Sequence, residues 1–310
     1  MHNTPQPMLS IAIPVFNAEA ILGDLCQQLK GATQSLPYEL EIILVDDYSP
    51  DNSWQAIETL STQYTYVKGV KLSRNFGQQI AVSAGIASSK GKYVIVMDCD
   101  LQNPPLAIPL ILSQLENGYD LVYTVAKQRN NFKDQLTSKL FWFVLTKILK
   151  VDIVKNQLMM RGMSSRFVKY YDTYTEITRT VAGISRDIGL KHTVVEIENN
   201  QRHSGKSNYN FFKRFNLMID IVLSLSTAPL TMIINTSLIV LIATFFAALY
   251  YLYVVFFWYS IPGYTSLVLL IIGFGSLITL ILGVMGVYLA NIYKEVRKRP
   301  LFIIDEKVNF

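Results

Sequence analysis

The first half of the chain alternates largely apolar runs of strand length with stretches of helical period. Leu9 to Phe16 predicts a buried strand, and Ala20 to about Thr33 predicts a helix. Glu41 to Val45 predicts a second strand, ending in Asp46 and Asp47. Ser49-Pro50-Asp51 then supplies an N-cap and a proline for the first turn of a helix. Val67 to Leu72 and Tyr93 to Met97 predict two more strands, separated by a helix over Gln78 to Ala87. Pro104-Pro105 opens another helix, which Gly118 ends, and Asp120 to Tyr123 predicts a fifth strand. Strands that alternate with helices imply an α/β fold with a parallel, doubly wound sheet, whose ligands bind beyond the carboxyl ends of the strands.

The second half is patterned differently. From Ile221 to Tyr293 there is no Asp, Glu, Lys or Arg. Pro229 to Trp258 and Thr265 to Ile292 are each long enough to span about 30 Å of hydrocarbon, for which a helix needs about 20 residues. Only the uncharged linker Tyr259 to Tyr264 joins them, which predicts a two-helix transmembrane hairpin. Tyr250, Tyr251, Tyr253, Trp258, Tyr259 and Tyr264 supply an aromatic belt on the far side. Basic residues at the outer ends, Lys213, Arg214, Lys294, Arg297, Lys298 and Arg299, place both ends in the cytoplasm. Two basic amphipathic stretches complete the pattern. Phe132 to Lys150 reads equally as a core helix or as a helix at the bilayer surface, whereas Tyr209 to about Ser226 reads as interfacial.

The expected organisation is a polar cytoplasmic domain over 1–208, which includes the amphipathic stretch at 132–150. An interfacial helix over 209–228, spans within 229–293 and a basic tail over 294–310 follow. Met1 to Leu9 is polar and contains proline, unlike a secretory signal, so the expected location is the plasma membrane, multi-pass, with the polar domain inside. The formal charge of +5 does not point to nucleic acid, because the basic residues concentrate beside the apolar segments and suit anionic lipid headgroups. Cys26 and Cys99 form no disulfide framework or metal-ligand spacing, which fits a reducing compartment.

Candidate chemistry lies where the fourth strand leaves the sheet, at Asp98-Cys99-Asp100-Leu101-Gln102. On an extended segment, residues at i, i+2 and i+4 share one face, so Asp98, Asp100 and Gln102 would present three oxygen-bearing side chains together. Such a set suits Mg2+ or Mn2+ bound through carboxylates and substrate phosphates, and the ion would stabilise a departing diphosphate.

Five motifs, in order, resemble the family 2 glycosyltransferases, and within them the polyprenyl-phosphate group. They are Ile13-Pro14-Val15-Phe16-Asn17-Ala18-Glu19, Leu44 to Ser49, Arg74-Asn75-Phe76-Gly77-Gln78, Asp98 to Pro105, and Arg202 to Tyr209. The resemblance implies a GT-A fold and an inverting transfer, in which a lipid phosphate attacks the anomeric carbon of a nucleotide sugar. It implies that Pro14, Phe16, Glu19, Asp46, Asp47, Arg74 and Asp98 hold the nucleotide. It also implies a polyprenyl phosphate acceptor, a bilayer as partner, and self-association as an expectation.

One departure affects the mechanism. Many relatives carry an acid shortly before an arginine in the stretch matching Val154 to Met163, and this chain has none there. A phosphate monoester with a second pKa near about 6 is already ionised at neutral pH, so the acceptor needs positioning more than deprotonation. Arg161, Arg202 and Lys206 are the candidate cations, with Asp100 beside them at the reacting centre. A subgroup that transfers aminoarabinose derivatives shares the motifs at Gly77 and at Leu101 to Pro105. A processive synthase is disfavoured by two spans and no Gln-x-x-Arg-Trp motif, and a non-catalytic scaffold by the intact Asp98, Asp100 and Gln102.

Overall fold

The computed structural model describes residues 8–127, 154, 157–176, 181–198 and 263–310, with isolated positions between 235 and 257. The chain divides into two compact units. One comprises Met1–Asn131, Ile153–Asn208 and Arg299–Phe310, and the other Phe132–Asp152 and Tyr209–Lys298. The segment Arg299–Phe310 thus belongs to the first unit although it follows the second in the chain.

The first unit is built on one eight-stranded sheet. Its strands are β1 (Met8–Val15), β2 (Glu39–Asp46), β3 (Val67–Leu72), β4 (Tyr93–Val96), β5 (Leu121–Ala126), β6 (Gln157–Ser164), β7 (His192–Ile197) and β8 (Ile304–Val308), in the order β7-β5-β6-β4-β1-β2-β3-β8. β1 pairs in parallel with both β2 and β4, and β3 in parallel with β2. The sheet is not wholly parallel, because β6 runs antiparallel to β4 and β5, and β8 antiparallel to β3.

Alternation along the strands sorts side chains to two faces. On one, Leu9, Ile11, Ile13, Ile42 and Leu44 pack with Leu22, Leu25 and Leu29 of α1 (Leu22–Thr33), Trp54 and Ile57 of α2 (Ser53–Gln63), and Ile108 and Ile111 of α4 (Ile108–Glu116). On the other, Ala12, Val94 and Val96 meet Val82 and Ile86 of α3 (Gln78–Ser88), Phe167 and Tyr171 of α5 (Ser165–Tyr171), and Val181 and Ile184 of α6 (Val181–Ile188). Full burial stabilises each such aliphatic side chain by about 1.5–3 kcal/mol, so strands buried on both faces read as continuous apolar runs.

Two local expectations differ from the structure. α2 starts at Ser53 rather than at Pro50, and Asp51 turns the chain before it by accepting the Ser53 N–H at 3.2 Å and the Ser53 hydroxyl at 2.6 Å. The segment expected as a basic tail over 294–310 contains β8, an edge strand of the eight-stranded sheet.

In the second unit, α7 (Tyr264–Val296) is 33 residues long, about 50 Å at 1.5 Å per residue. Counting only the described residues, no helix is long and apolar enough to cross a membrane. The sequence of α7 carries no charged residue from Tyr264 to Tyr293. The expected span over Pro229 to Trp258, apart from isolated positions, and the amphipathic stretches at 132–150 and 209–228 lie outside the described residues.

Candidate active site

The site is built where β1 and β4 part. Their pairing runs from Leu9↔Tyr93 to Ala12↔Val96, and the Met97 N–H makes a last bond to the Ala12 carbonyl at 3.2 Å. Pro14 lies two residues beyond Ala12, buried and without an N–H to donate on that side. The proline is compatible with a central strand here because β4 has ended. The chain continues from β1 to β2 on one side and reaches β4 on the other, so a crevice opens at this switch point.

Three left-handed residues turn the strand ends into loops: Asn17 (φ 54°), Tyr48 (φ 58°) and Leu101 (φ 57°). The first two loops are tied together. The Asn17 N–H donates to Ser49 Oγ at 3.1 Å, the Ala18 N–H to Ser53 Oγ at 3.0 Å, and the Glu19 N–H to Asp51 Oδ2 at 3.3 Å. Phe16 and Tyr48 stand 51% and 55% exposed on these loops, whereas the core residues beside them are closed to solvent. Such unpartnered aromatic surface at a crevice is suited to a planar ligand.

Asp46 and Asp47 are buried at the end of β2. Burial pushes the carboxyl of Asp46 up, opposed by the Ser49 hydroxyl and N–H. Burial likewise raises Asp47, opposed by the N–H groups of Phe76 and Gly77, which donate to Oδ1 and Oδ2 at 2.7 and 2.9 Å, and by the charge of Arg74. Gly77 adopts φ 96°, a region open to glycine, which lets two successive N–H groups reach one carboxylate. The Arg74 guanidinium lies 4.0 Å from the Phe76 ring centroid.

Asp98 and Asp100 follow β4. Gln78 Nε2 donates to Asp98 Oδ1 at 2.6 Å, and the Gln102 N–H donates to Asp100 Oδ1 at 3.1 Å. This corrects the extended-face expectation: β4 ends at Val96 and Leu101 is left-handed, so 98–102 is a turn, and alternation does not place Gln102 beside the aspartates. Among the described residues no group of three His, Cys, Asp or Glu side chains gathers as a ready cation site. The pair still fits a divalent cation, as two hard carboxylates on a partly exposed turn whose remaining ligands a phosphate would supply. Nearby, Asn103 Oδ1 is buried with no hydrogen-bond partner. Cys99, between the aspartates, has its thiol pushed up to about 12 by burial and then by the two carboxylates, so it stays protonated.

Arg161 lies on β6 opposite Val96 and is 6% exposed. Its Nε donates to the Met159 carbonyl at 3.1 Å, burial lowers its pKa, and the Asp98 charge is among the groups that oppose this. It is therefore a charge set behind the aspartate turn. Arg202 and Lys206 lie outside the described residues.

The glycosyl transferase family 2 model matches residues 10–188, which contain the ends of β1, β2 and β4 and the loops that follow them. The chain belongs to this family. This glycosyltransferase is 33% identical to an uncharacterised glycosyltransferase of Synechocystis sp., over 96% of this chain and 95% of that protein. It is 30% and 32% identical to undecaprenyl-phosphate 4-deoxy-4-formamido-L-arabinose transferases of Shewanella sediminis and Pseudomonas fluorescens, over 98% and 97% of this chain and 94% and 91% of theirs. The fold is an α/β fold of the GT-A kind. It resembles mannosyl-3-phosphoglycerate synthase from Rubrobacter xylanophilus, with a TM-score of 0.52, 14% identity, and coverage of 70% of this chain and 73% of that one.

Sequence reasoning about the glycosyltransferase omits Tyr48, Ser49 and Gln78 as individual site residues. Tyr48 gives no signal, because its exposure follows from a left-handed backbone rather than from a pattern. Gln78 lies within a motif, but its bond to Asp98 crosses between loops that only the fold brings together.

Proposed function

We propose that this glycosyltransferase is membrane-anchored and metal-dependent, and that it moves a sugar from a nucleotide sugar, a UDP-sugar by preference, to a polyprenyl phosphate such as undecaprenyl phosphate. The observation that carries the reading is the convergence of Asp46, Asp47, Asp98 and Asp100 on the strand ends that flank the β1–β4 switch point. Phe16, Glu19, Asp46, Asp47 and Arg74 would hold the base and ribose, with Pro14 shaping the crevice behind them. Asp98 and Asp100, with Gln102 in the same turn, would hold Mg2+ or Mn2+, which when bound neutralises charge on the departing diphosphate. Arg202 and Lys206 would orient the acceptor phosphate by charge-assisted hydrogen bonds, with Arg161 adding positive potential from behind Asp98. The acceptor oxygen then attacks as its own nucleophile, since an ionised phosphate needs no protein base.

Membrane anchoring is supported by α7, uncharged over Tyr264 to Tyr293 and followed by Lys294, Arg297, Lys298 and Arg299. The proposed location is the plasma membrane with the catalytic unit in the cytoplasm. A second reading, transfer of an unusual amino sugar, is favoured by the relatives named as formamido-arabinose transferases. Purified full-length chain should be incubated with Mn2+, undecaprenyl phosphate and a panel of nucleotide sugars, and the lipid fraction analysed by mass. A lipid-phosphate sugar from one donor is expected and names the sugar. Donor hydrolysis alone, with every lipid phosphate left unmodified, would overturn the acceptor.

A further inference from the structure

The last residues of the chain form part of the wall beside Asp47. β8 pairs with β3 from Gly69↔Val308 to Leu72↔Ile304. Beyond that register the Ser73 N–H donates to the Ile303 carbonyl at 3.0 Å, so pairing extends into the loop that follows β3. Phe302 and Ile304 pack against the cluster of Ile43, Val45, Val70, Leu72, Ala81 and Ala84, and Phe76 packs against the same cluster. Phe76 and Gly77 are the residues whose N–H groups hold the Asp47 carboxylate.

The strand is fixed along its length. Lys71 Nζ meets Glu306 Oε1 at 2.5 Å. At the far end, Asn309 Nδ2 donates to the carbonyls of Thr65 and Val67 at 3.1 and 2.7 Å. Gly69 has room for Val308 only because it lacks a side chain, since a Cβ there would stand 2.6 Å from Val308 Cγ2 and 2.5 Å from Ile57 Cγ2. The outward residues Asp305, Glu306 and Lys307 are exposed, as an edge strand requires if it is not to recruit another. The pairing register, the ion pair and the Asn309 bonds thus seat this strand on the sheet, and in the order of elements it follows the helix α7.

We propose that Phe302 and Ile304 are positioning residues for donor binding, and that the terminal strand holds the Ser73–Gly77 loop so that Asp47 keeps its orientation toward the nucleotide. The inference rests on the donor site under the proposed function. Because β8 follows α7 in the chain, this support for the donor site comes from residues beyond the second unit.

The test uses full-length chain in detergent with Phe302→Ala, Ile304→Ala and, as a control at the far end of the strand, Asn309→Ala. Two readouts are taken: amide exchange at Phe76 and Gly77, and titration with UDP in the presence of Mn2+. Loop-proximal variants should exchange these two amides about tenfold faster, equivalent to about 1.4 kcal/mol, and bind UDP about tenfold more weakly, while β1 amides keep their protection. Asn309→Ala should change either readout less than about twofold. If Phe302→Ala does not fold, Phe302→Leu carries the same readouts with smaller changes. Unaltered exchange at Phe76 and Gly77 in the loop-proximal variants, or equal effects from Asn309→Ala, would overturn the positioning role. Absence of binding by the wild type of UDP, GDP and CDP alike would overturn the donor reading instead, and the exchange readout would then decide the strand's role by itself.

Discussion

β2 carries buried carboxylates near both of its ends, and the fold treats them in opposite ways. Burial works against ionisation of Glu41, but the Lys68 ammonium at 2.5 Å, the Ser10 hydroxyl and the Lys90 N–H at 3.1 Å outweigh it and hold the carboxyl below the usual carboxylate range. At the other end burial wins, and Asp46 and Asp47 are both raised although Ser49, Phe76 and Gly77 donate to them. The first end is electrostatically complete within the chain. The second holds acidic groups whose desolvation the chain's own donors leave only partly offset, as expected where a ligand supplies what is missing. Carboxylates on one strand thus separate into scaffold and site by the partners the fold gives them.

The largest expected effect lies at the site end. Asp100→Asn should lower transfer about 100-fold to 1000-fold by removing charge from the metal turn, with the melting temperature unchanged. A folded variant with near-normal transfer would remove the turn from the chemistry.

Next comes the scaffold end, where the effect should move from activity to stability. Glu41→Gln leaves the Lys68 ammonium, only 13% exposed, without its counter-charge, and should destabilise the fold by roughly 3 kcal/mol while activity per folded molecule is kept. The pH dependence follows from a depressed folded pKa. Glu41 contributes its full stabilisation above the ordinary carboxylate value of 4.5 and loses it as pH falls through the lower folded value. Denaturant melts of wild type and variant should differ by a constant amount above about pH 5, and the gap should close in more acid solution. A gap that widens toward acid would reverse the sign assigned to Glu41.

The smallest effect tests the other sign. A raised carboxyl favours folding as pH falls, so its charge opposes folding at neutral pH. Asp46→Asn should therefore change stability at pH 7 by less than about 1 kcal/mol, toward greater stability, while nucleotide binding weakens. Substantial destabilisation would make Asp46 a scaffold residue like Glu41.

How far the sequence discloses these features depends on how local their causes are. β1, β2 and β4 are legible because burial on both faces makes them largely apolar runs bounded by turns, and β3 because Val67, Val70 and Leu72 recur around Lys68 and Lys71. β6 escapes notice because Gln157, Arg161 and Gly162 interrupt its pattern, and its partners β4 and β5 supply the burial. β8 escapes notice because an edge strand faces water with Asp305, Glu306 and Lys307 and shows little apolar alternation. The aspartates are legible from their position at strand ends. The geometry of Gln102 is not, since a left-handed Leu101 overrides the alternation that would have aligned it. The bonds from Gln78 to Asp98 and from Phe76 to Asp47 join segments 20 and 29 residues apart, and no local pattern encodes them.

Metal-dependent nucleotide binding at the strand ends is the central claim, and calorimetric titration tests it most directly. Purified full-length chain should be titrated with UDP, GDP and CDP, with Mn2+ and then with chelator, and the same done with the Asp98→Asn/Asp100→Asn double variant. At least one nucleoside diphosphate should bind the wild type with Mn2+, and both chelation and the double substitution should weaken that binding by about tenfold or more. Equal affinity with and without metal, in wild type and variant alike, would contradict a metal site at Asp98 and Asp100.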